Sequence, residues 1–221
     1  MSESIELAGE HVELLPEHAL LWPRTATLLL ADLHLGKDEV FRRSGIAVPA
    51  GSSQTDLDRL AALIRVHAVQ RVVLLGDFVH AVPQFGSEFI PLFMAWRAAH
   101  AELEFIVVAG NHDRLAARQQ LTTIQWQSQW LAAPFVGQHH PGDSLHGYVL
   151  CGHAHPVIRI RTGRERMRLP TFWFTPQFGV LPSFGSFTGG AEIEPGPRDE
   201  VFAVAADRVW RVPNLRGDKS V

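Results

Sequence analysis

With one cysteine, Cys151, the chain can form no internal disulfide, and such usage fits a reducing compartment. Cys151 ends an apolar run just before Gly152, the setting of a small buried hydrophobe more than of a nucleophile. No apolar run approaches the roughly 18 residues that a membrane-spanning helix needs. Met1 to Glu10 is acidic and lacks a basic stretch followed by an apolar one, so it does not read as a secretory signal. These absences lead to the expectation of a cytoplasmic protein with no membrane partner. An excess of one charge is missing too. With 20 Lys and Arg against 23 Asp and Glu, the formal net charge of -3 gives no global attraction for nucleic acid or an anionic membrane. A polyanion would have to be held by a local basic patch or through metal ions. Proline- and serine-rich tracts, like-charge runs and internal repeats are lacking, so nothing marks a linker. The 221 residues are expected to form a single domain, 1–221, with a substantial core.

What the chain does have is a recurring transition. Val72 to Leu75 is a run of four apolar residues that stops at Gly76 and is followed at once by Asp77. Gly76 lets the backbone turn sharply, so the carboxylate projects beyond the end of a buried strand. Alone, that is an ordinary turn or helix cap. The same transition recurs elsewhere. Leu28 to Ala31 ends in Asp32-Leu33-His34, Phe105 to Ala109 in Gly110-Asn111-His112-Asp113, and Tyr148 to Cys151 in Gly152-His153-Ala154-His155. Carboxylates, imidazoles and an amide gathered at four strand ends cost free energy unless something compensates them, and a shared cation would do so. Four unrelated polar loops are the alternative.

The remaining pattern places these strands among other elements. Ile5-Glu6-Leu7 and Val12-Glu13-Leu14 alternate with period two around Ala8-Gly9, which predicts an opening hairpin. Ser53 followed by Asp56 predicts a helix start, with Leu57, Leu60, Ala61 and Ile64 on one apolar face. Ser87 is expected to cap a second helix running to about His100, with Pro91 tolerated near its first turn. Arg114 to Leu131 reads as a third helix carrying Trp126 and Trp130 on one face, suited to core packing or to stacking on bases. Pro134 to Gln138 is a short strand ending at His139-His140-Pro141. In Val157 to Arg168, Arg159, Arg161, Arg166 and Arg168 alternate with apolar residues across a Thr162-Gly163 turn. A hairpin would put these arginines on one face, as a solvated surface or as a grip for a phosphate backbone. Val201 to Val212 closes the chain as strands. Lys37, Arg42 and Arg43, close after His34, are candidate contacts to phosphate oxygens, against the alternative of a solvated helix face.

Taken in order, Asp32-x-His34, Gly76-Asp77-x-x-His80, Gly110-Asn111-His112-Asp113, His139 and Gly152-His153-x-His155 resemble the calcineurin-like metallophosphoesterase superfamily over most of the chain. Ala31 to Lys37, the Gly-His-x-His-Pro run ending at Pro156, and Leu181-Pro182-Ser183-Phe184-Gly185 are similar to the bacterial ligase-associated DNA damage response endonuclease family, PdeM. The resemblance implies an α/β fold, a four-layer α-β-β-α sandwich of two mixed sheets flanked by helices, with two divalent ions at the strand ends. It implies Asp32, His34 and His155 on one ion, Asn111, His139 and His153 on the other, and Asp77 bridging both. His139 is preferred to His140 because it ends the apolar strand and matches the family's His-x-Pro arrangement. Imidazole and carboxylate donors suit Mn, Fe or Zn, and Mn is the first choice.

The implied activity is phosphodiester hydrolysis by a hydroxide held between the ions, with His112 protonating or stabilising the leaving oxygen. The implied substrate is DNA under repair, with a repair ligase and helicase as expected partners. Relatives such as the protein phosphatases carry Asp where this chain has His80, and that Asp orients the histidine equivalent to His112. Asp113 is a candidate replacement for it, and His80 a candidate substrate contact. Other readings are a small-molecule phosphodiesterase, a nucleotide-lipid pyrophosphohydrolase, and a non-catalytic scaffold of the same fold. The lipid enzyme needs an apolar lid, and no long amphipathic insertion lies between the motifs. A scaffold would have lost ligands, and every expected ligand type is present.

Overall fold

The computed structural model describes residues 1–162 and 165–213. The chain opens with β1 (Glu3–Leu7) and β2 (Glu10–Leu15), joined by Ala8 and Gly9, whose φ angles of 51° and 79° are the positive pair that a two-residue hairpin turn demands. The antiparallel run continues with β3 (Ala19–Trp22) and β4 (Thr27–Leu30), and β5 (Arg71–Leu75), β6 (Glu104–Val108) and β7 (Gln125–Gln127) then add in parallel. The result is a mixed sheet of seven strands in sequential order. Its connections carry helices α1 (Lys37–Arg43), α2 (Ser52–Val66), α3 (Phe89–Ala99) and α4 (Leu115–Gln120).

The second sheet takes the rest of the chain: β8 (Trp130–Ala132), β9 (Phe135–Gly137), β10 (Tyr148–Cys151), β11 (Pro156–Thr162), β12 (Glu165–Phe174), β13 (Phe178–Val180), β14 (Ala191–Glu192), β15 (Glu200–Ala205) and β16 (Arg208–Arg211). In it β9, β10 and β13 run parallel, as do β11 and β14, and the other pairs are antiparallel.

Successive residues of β4, β5 and β6 face opposite sides of the first sheet. Both sides are covered, which is why these strands read as unbroken apolar runs. Leu29, Val73, Leu75, Ile106 and Val108 meet Phe135, Leu150, Phe172 and Phe202 of the second sheet. Leu28, Leu30, Val72, Leu74 and Val107 face Leu57, Leu60 and Leu63 of α2 and Phe89, Phe93 and Trp96 of α3. Two mixed sheets flanked by helices are therefore present as expected, with the helical layer on the outer face of the first sheet. On the outer face of the second, among the described residues, Trp173 and Phe178 partly cover a small cluster of Val136, Val149, Cys151 and Val180. No helix of the described residues is long and apolar enough to cross a membrane.

Several local expectations are corrected. Arg114 to Leu131 is not one helix: only Leu115–Gln120 is helical, while Trp126 lies on β7 opposite Val107 and Trp130 on β8 opposite Gly137. The two indoles belong to different core clusters, Trp126 to the helix side and Trp130 to the space between the sheets. Ser53 does not cap α2. Its hydroxyl accepts the Gly36 N–H at 3.0 Å, and α2 starts after Gly51, which sits at φ 92°. Nor does Ser87 cap α3. Glu39 of α1 takes that part, accepting the Phe89 N–H at 2.7 Å and the Ser87 hydroxyl at 2.8 Å. The arginine-bearing hairpin forms, with Arg159 opposite Arg168 and Arg161 opposite Arg166, though part of its expected turn, Gly163, lies outside the described residues. Arg159 is paired with Glu192 at 2.7 Å and Arg168 donates to the Gly190 carbonyl at 2.7 Å, so these charges are engaged within the protein.

Candidate metal centre

Each candidate ligand follows the C-terminal end of a strand: Asp32 and His34 after β4, Asp77 after β5, Asn111 after β6, His139 after β9, and His153 and His155 after β10. Parallel alignment brings those ends to one place, where ligands of α/β sheets characteristically bind. Asp32, His34, Asp77, His153 and His155 have φ between 44° and 68°, the left-handed region that non-glycine residues avoid. Each such residue costs on the order of 1–3 kcal/mol and persists only where its surroundings hold it. Here the strand-end loops hold one another. Asp32 N–H donates to the Gly76 carbonyl at 3.1 Å, His34 N–H to the Asp77 carbonyl at 2.9 Å, and Gly152 N–H to the His139 carbonyl at 3.1 Å.

Glycines set how closely these loops approach. Gly76 has φ 90°, and a Cβ there would overlap the His139 ring. A Cβ on Gly110 would overlap Asp77, and one on Gly152 would lie 2.5 Å from Asp32 Oδ2. The glycine beside each ligand in the sequence thus makes room for a ligand from a different strand.

The donor atoms face inward without the groups that would neutralise them. Asp32 and Asp77 are buried, and among the described residues their only ion-pair partners are histidines. His155 Nε2 lies 3.4 Å from Asp32 Oδ1 and 3.4 Å from His34 Nε2, which is 3.9 Å from Asp77 Oδ2. His139 donates from Nδ1 to the Leu75 carbonyl at 3.1 Å, so in the neutral ring Nε2 is the nitrogen with the free lone pair. That nitrogen faces Asn111 Oδ1 at 2.9 Å, His153 Nδ1 at 3.2 Å and Asp77 Oδ1 at 3.5 Å. Burial, with Lys37 second, drives His34 down to about 2, so its ring is neutral and a potential donor to a metal. Two sets of lone pairs, from imidazole and carboxylate, converge with Asp77 between them, and the chemistry of this donor set fits divalent ions. All seven candidates come together. His139 is buried, whereas its neighbour His140 is exposed, with its ring 4.2 Å from that of His153.

His112 borders the centre with Nε2 4.0 Å from Asp77 Oδ2. Its Nδ1 lies 2.6 Å from the backbone carbonyl of His80, and since a carbonyl only accepts, Nδ1 carries the proton. The element that orients His112 is thus a main-chain oxygen. The His80 ring stacks on His112 at 5.0 Å and 21°, and burial, then Lys37, lowers its pKa to about 4, leaving it neutral.

Asp113 does not orient His112. Its carboxylate instead accepts the N–H groups of Phe78 at 3.2 Å, Val79 at 3.0 Å and Gly110 at 2.9 Å, tying the Asp77 loop to the Asn111 loop. Burial raises its pKa to about 6 against the pull of those donors. Asp113→Ala leaves two buried N–H groups and a half-buried one unpaired, and at about 1–3 kcal/mol for each the expected loss is about 3 kcal/mol or more. Urea unfolding would measure it, and an unchanged midpoint would remove Asp113 from this role. Nothing in apolar periodicity distinguishes such a clamp, nor Ser183, whose hydroxyl donates to the Asp32 carbonyl at 2.9 Å.

The candidate phosphate contacts divide. Lys37 is half-buried, its ammonium 5.9 Å from the centroid of the Phe41 ring, and burial lowers its pKa while Asp32 and Asp77 act to raise it. Arg42 is paired with Asp38 at 2.8 Å and Glu88 at 3.2 Å, so its charge is engaged, whereas Arg43 is exposed. Cys151 is buried, with its Sγ 3.4 Å from the Gly179 carbonyl, and burial pushes the thiol pKa up. Cys151→Ser is expected to keep turnover within a few-fold of wild type and to lower stability by about 1 kcal/mol. A collapse of activity in a folded, metal-loaded variant would give the thiol a role.

No curated protein matches the chain. The crystal structure of Pseudomonas putida nuclease MPE is similar, with a TM-score of 0.79 and 34% sequence identity over 96% of this chain and 100% of that one. Yfce, a phosphoesterase from E. coli, aligns over 83% of this chain and 90% of its own at 14% identity, with a TM-score of 0.42, too loose a likeness to argue from. A family model, calcineurin-like phosphoesterase, matches residues 26–203, from the strand that delivers Asp32 to well past His155. The chain therefore belongs to the calcineurin-like phosphoesterase family and is a metal-dependent phosphoesterase.

Proposed function

We propose that this enzyme is a DNA-cleaving phosphodiesterase of the PdeM kind, working with two divalent ions, Mn by preference, in DNA repair. The observation that carries the two-ion reading is the pair of inward-facing donor sets that share Asp77: Asp32, His34 and His155 on one side, Asn111, His139 and His153 on the other. The DNA reading is supported by the 34% identity to a nuclease over 96% of the chain. Divalent ions supply activation of water and neutralisation of charge on the phosphoryl oxygens.

The protein's own residues do the rest. His112 keeps its Nδ1 proton on the His80 carbonyl, so proton transfer to a leaving oxygen runs through Nε2, the atom facing the centre. Lys37 adds a fixed positive charge beside the phosphate position. His80, stacked on His112, limits how far that ring can swing.

A substrate panel with Mn tests the reading: single- and double-stranded oligonucleotides, cyclic nucleotides, nucleotide diphosphate esters and phosphomonoesters. Oligonucleotides should be cleaved in preference to monoesters. Their affinity should fall steeply with salt, the slope of log affinity against log salt changing by about one for each phosphate contact removed. Robust hydrolysis of a small phosphoester, no cleavage of any DNA and a flat salt response would overturn the nuclease assignment and leave the phosphoesterase intact.

A further inference from the structure

We propose that the cleft between residues 80–84 and the Asn111–Arg114 turn receives the leaving-side nucleotide of a polynucleotide, with Arg114 holding its next phosphate and Phe85 stacking on a base. The inference rests on the DNA reading and specifies where the strand runs. The cleft has a volume of about 400 Å³ and is lined by His80, Val82, Gln84, Asn111, His112 and Arg114. That is within the size range of small-ligand sites, and it opens directly beside a candidate metal ligand and the proton donor. Because His112 delivers its proton to the leaving oxygen, the nucleoside that departs must pass the face of the site that His112 borders.

Arg114 is placed to meet the phosphate beyond that nucleoside. The residue is exposed, and among the described residues no carboxylate pairs with it, unlike Arg42 with Asp38 and Glu88 or Arg159 with Glu192. It stands two residues past His112 in a tight turn, its N–H donating to the His112 carbonyl at 2.8 Å, so the two side chains leave neighbouring points of the backbone and the long arginine stem extends outward from the proton donor. An unpaired guanidinium there can fork onto a phosphate one step along the leaving strand.

Phe85 supplies the second half. Its side chain is fully exposed, on the loop that runs from His80 to α3. The loop itself is anchored, with Pro83 buried and Glu39 holding Ser87 and Phe89. A large aromatic kept in water on an anchored loop, next in sequence to a cleft residue, Gln84, and joined there by the guanidinium of Arg114, is the combination by which proteins grip single strands.

The test compares kcat/KM for a single-stranded oligonucleotide with that for bis(p-nitrophenyl) phosphate, a diester with no base and no second phosphate, using Mn-loaded protein. For Arg114→Ala the ratio of the two should fall about tenfold or more, and the salt slope for oligonucleotide binding should fall by about 0.7. Arg114→Lys should recover the slope and only part of the ratio, since a point charge replaces a fork. Phe85→Ala should lower the ratio at least about fivefold. Unchanged ratios, or equal losses on both substrates, in an enzyme that cuts DNA would overturn this inference alone. Wild-type protein that hydrolyses bis(p-nitrophenyl) phosphate and cuts no oligonucleotide would overturn the DNA reading, and this inference with it.

Discussion

Alanine at position 77 is expected to leave the purified protein without tightly held divalent metal and to lower turnover about a thousandfold or more, several kcal/mol of lost charge stabilisation at about 1.4 kcal/mol per decade. The effect is large because one side chain serves both donor sets. Asp77 Oδ1 lies 3.5 Å from His139 Nε2 and Oδ2 lies 3.9 Å from His34 Nε2. Asp77 Oδ1 also accepts the His112 N–H at 2.9 Å, so the substitution loosens the proposed proton donor as well. Elemental analysis alongside kinetics would measure both losses. Asp77→Asn keeps the shape and one acceptor oxygen, and should lie between alanine and wild type. Two ions retained at wild-type affinity in the alanine variant would show that Asp77 is not the bridge.

His112→Ala should behave differently, keeping its metal and its thermal midpoint while kcat falls by about 10²–10⁴, the usual worth of a positioned acid. The loss should depend on the leaving group. An ester of a good leaving group such as p-nitrophenol needs little protonation, so the variant should recover most on that substrate and least on an alkyl diester. The neighbouring substitution separates the roles. His80→Ala removes a ring but keeps the carbonyl that accepts from His112 Nδ1, so its effect on kcat should stay within about tenfold, well below that of losing the acid itself. An equal loss in both variants, or a His112→Ala loss that ignores the leaving group, would mean that His112 does not transfer the proton.

The candidate ligands were legible because they cluster just past strands buried on both faces, Asp32, Asp77, Asn111 and His153 each being the first polar residue there, and the parallel arrangements of β4, β5 and β6 and of β9 and β10 align those ends. The two-sheet architecture was legible only through the family resemblance, while unbroken apolar runs such as Leu28 to Leu30 and Phe105 to Val108 marked strands covered on both faces. What escaped did so for physical reasons. Trp126 and Trp130 are four residues apart, which imitates one turn of helix, yet backbone pairing with β6 and β9 decided their conformation. Glu39 caps α3 from 50 residues away in sequence, and no local rule reaches that far. The acceptor that orients His112 is a carbonyl, which every residue has, so sequence carries no sign of it. Asp113 stands beside His112 in the chain and invites assignment to it, while its oxygens point to three main-chain N–H groups.

The left-handed backbone at Asp32, His34, Asp77, His153 and His155 also bears on how this protein responds to selection. Glycine adopts that conformation freely, so replacing a candidate ligand there removes strain at the same time as it removes a proposed metal donor. A screen that rewards heat resistance alone, run without added metal, should therefore collect glycines at these positions, and its most durable survivors would be inert. If these five residues hold the metal as proposed, durability and catalysis pull in opposite directions at them.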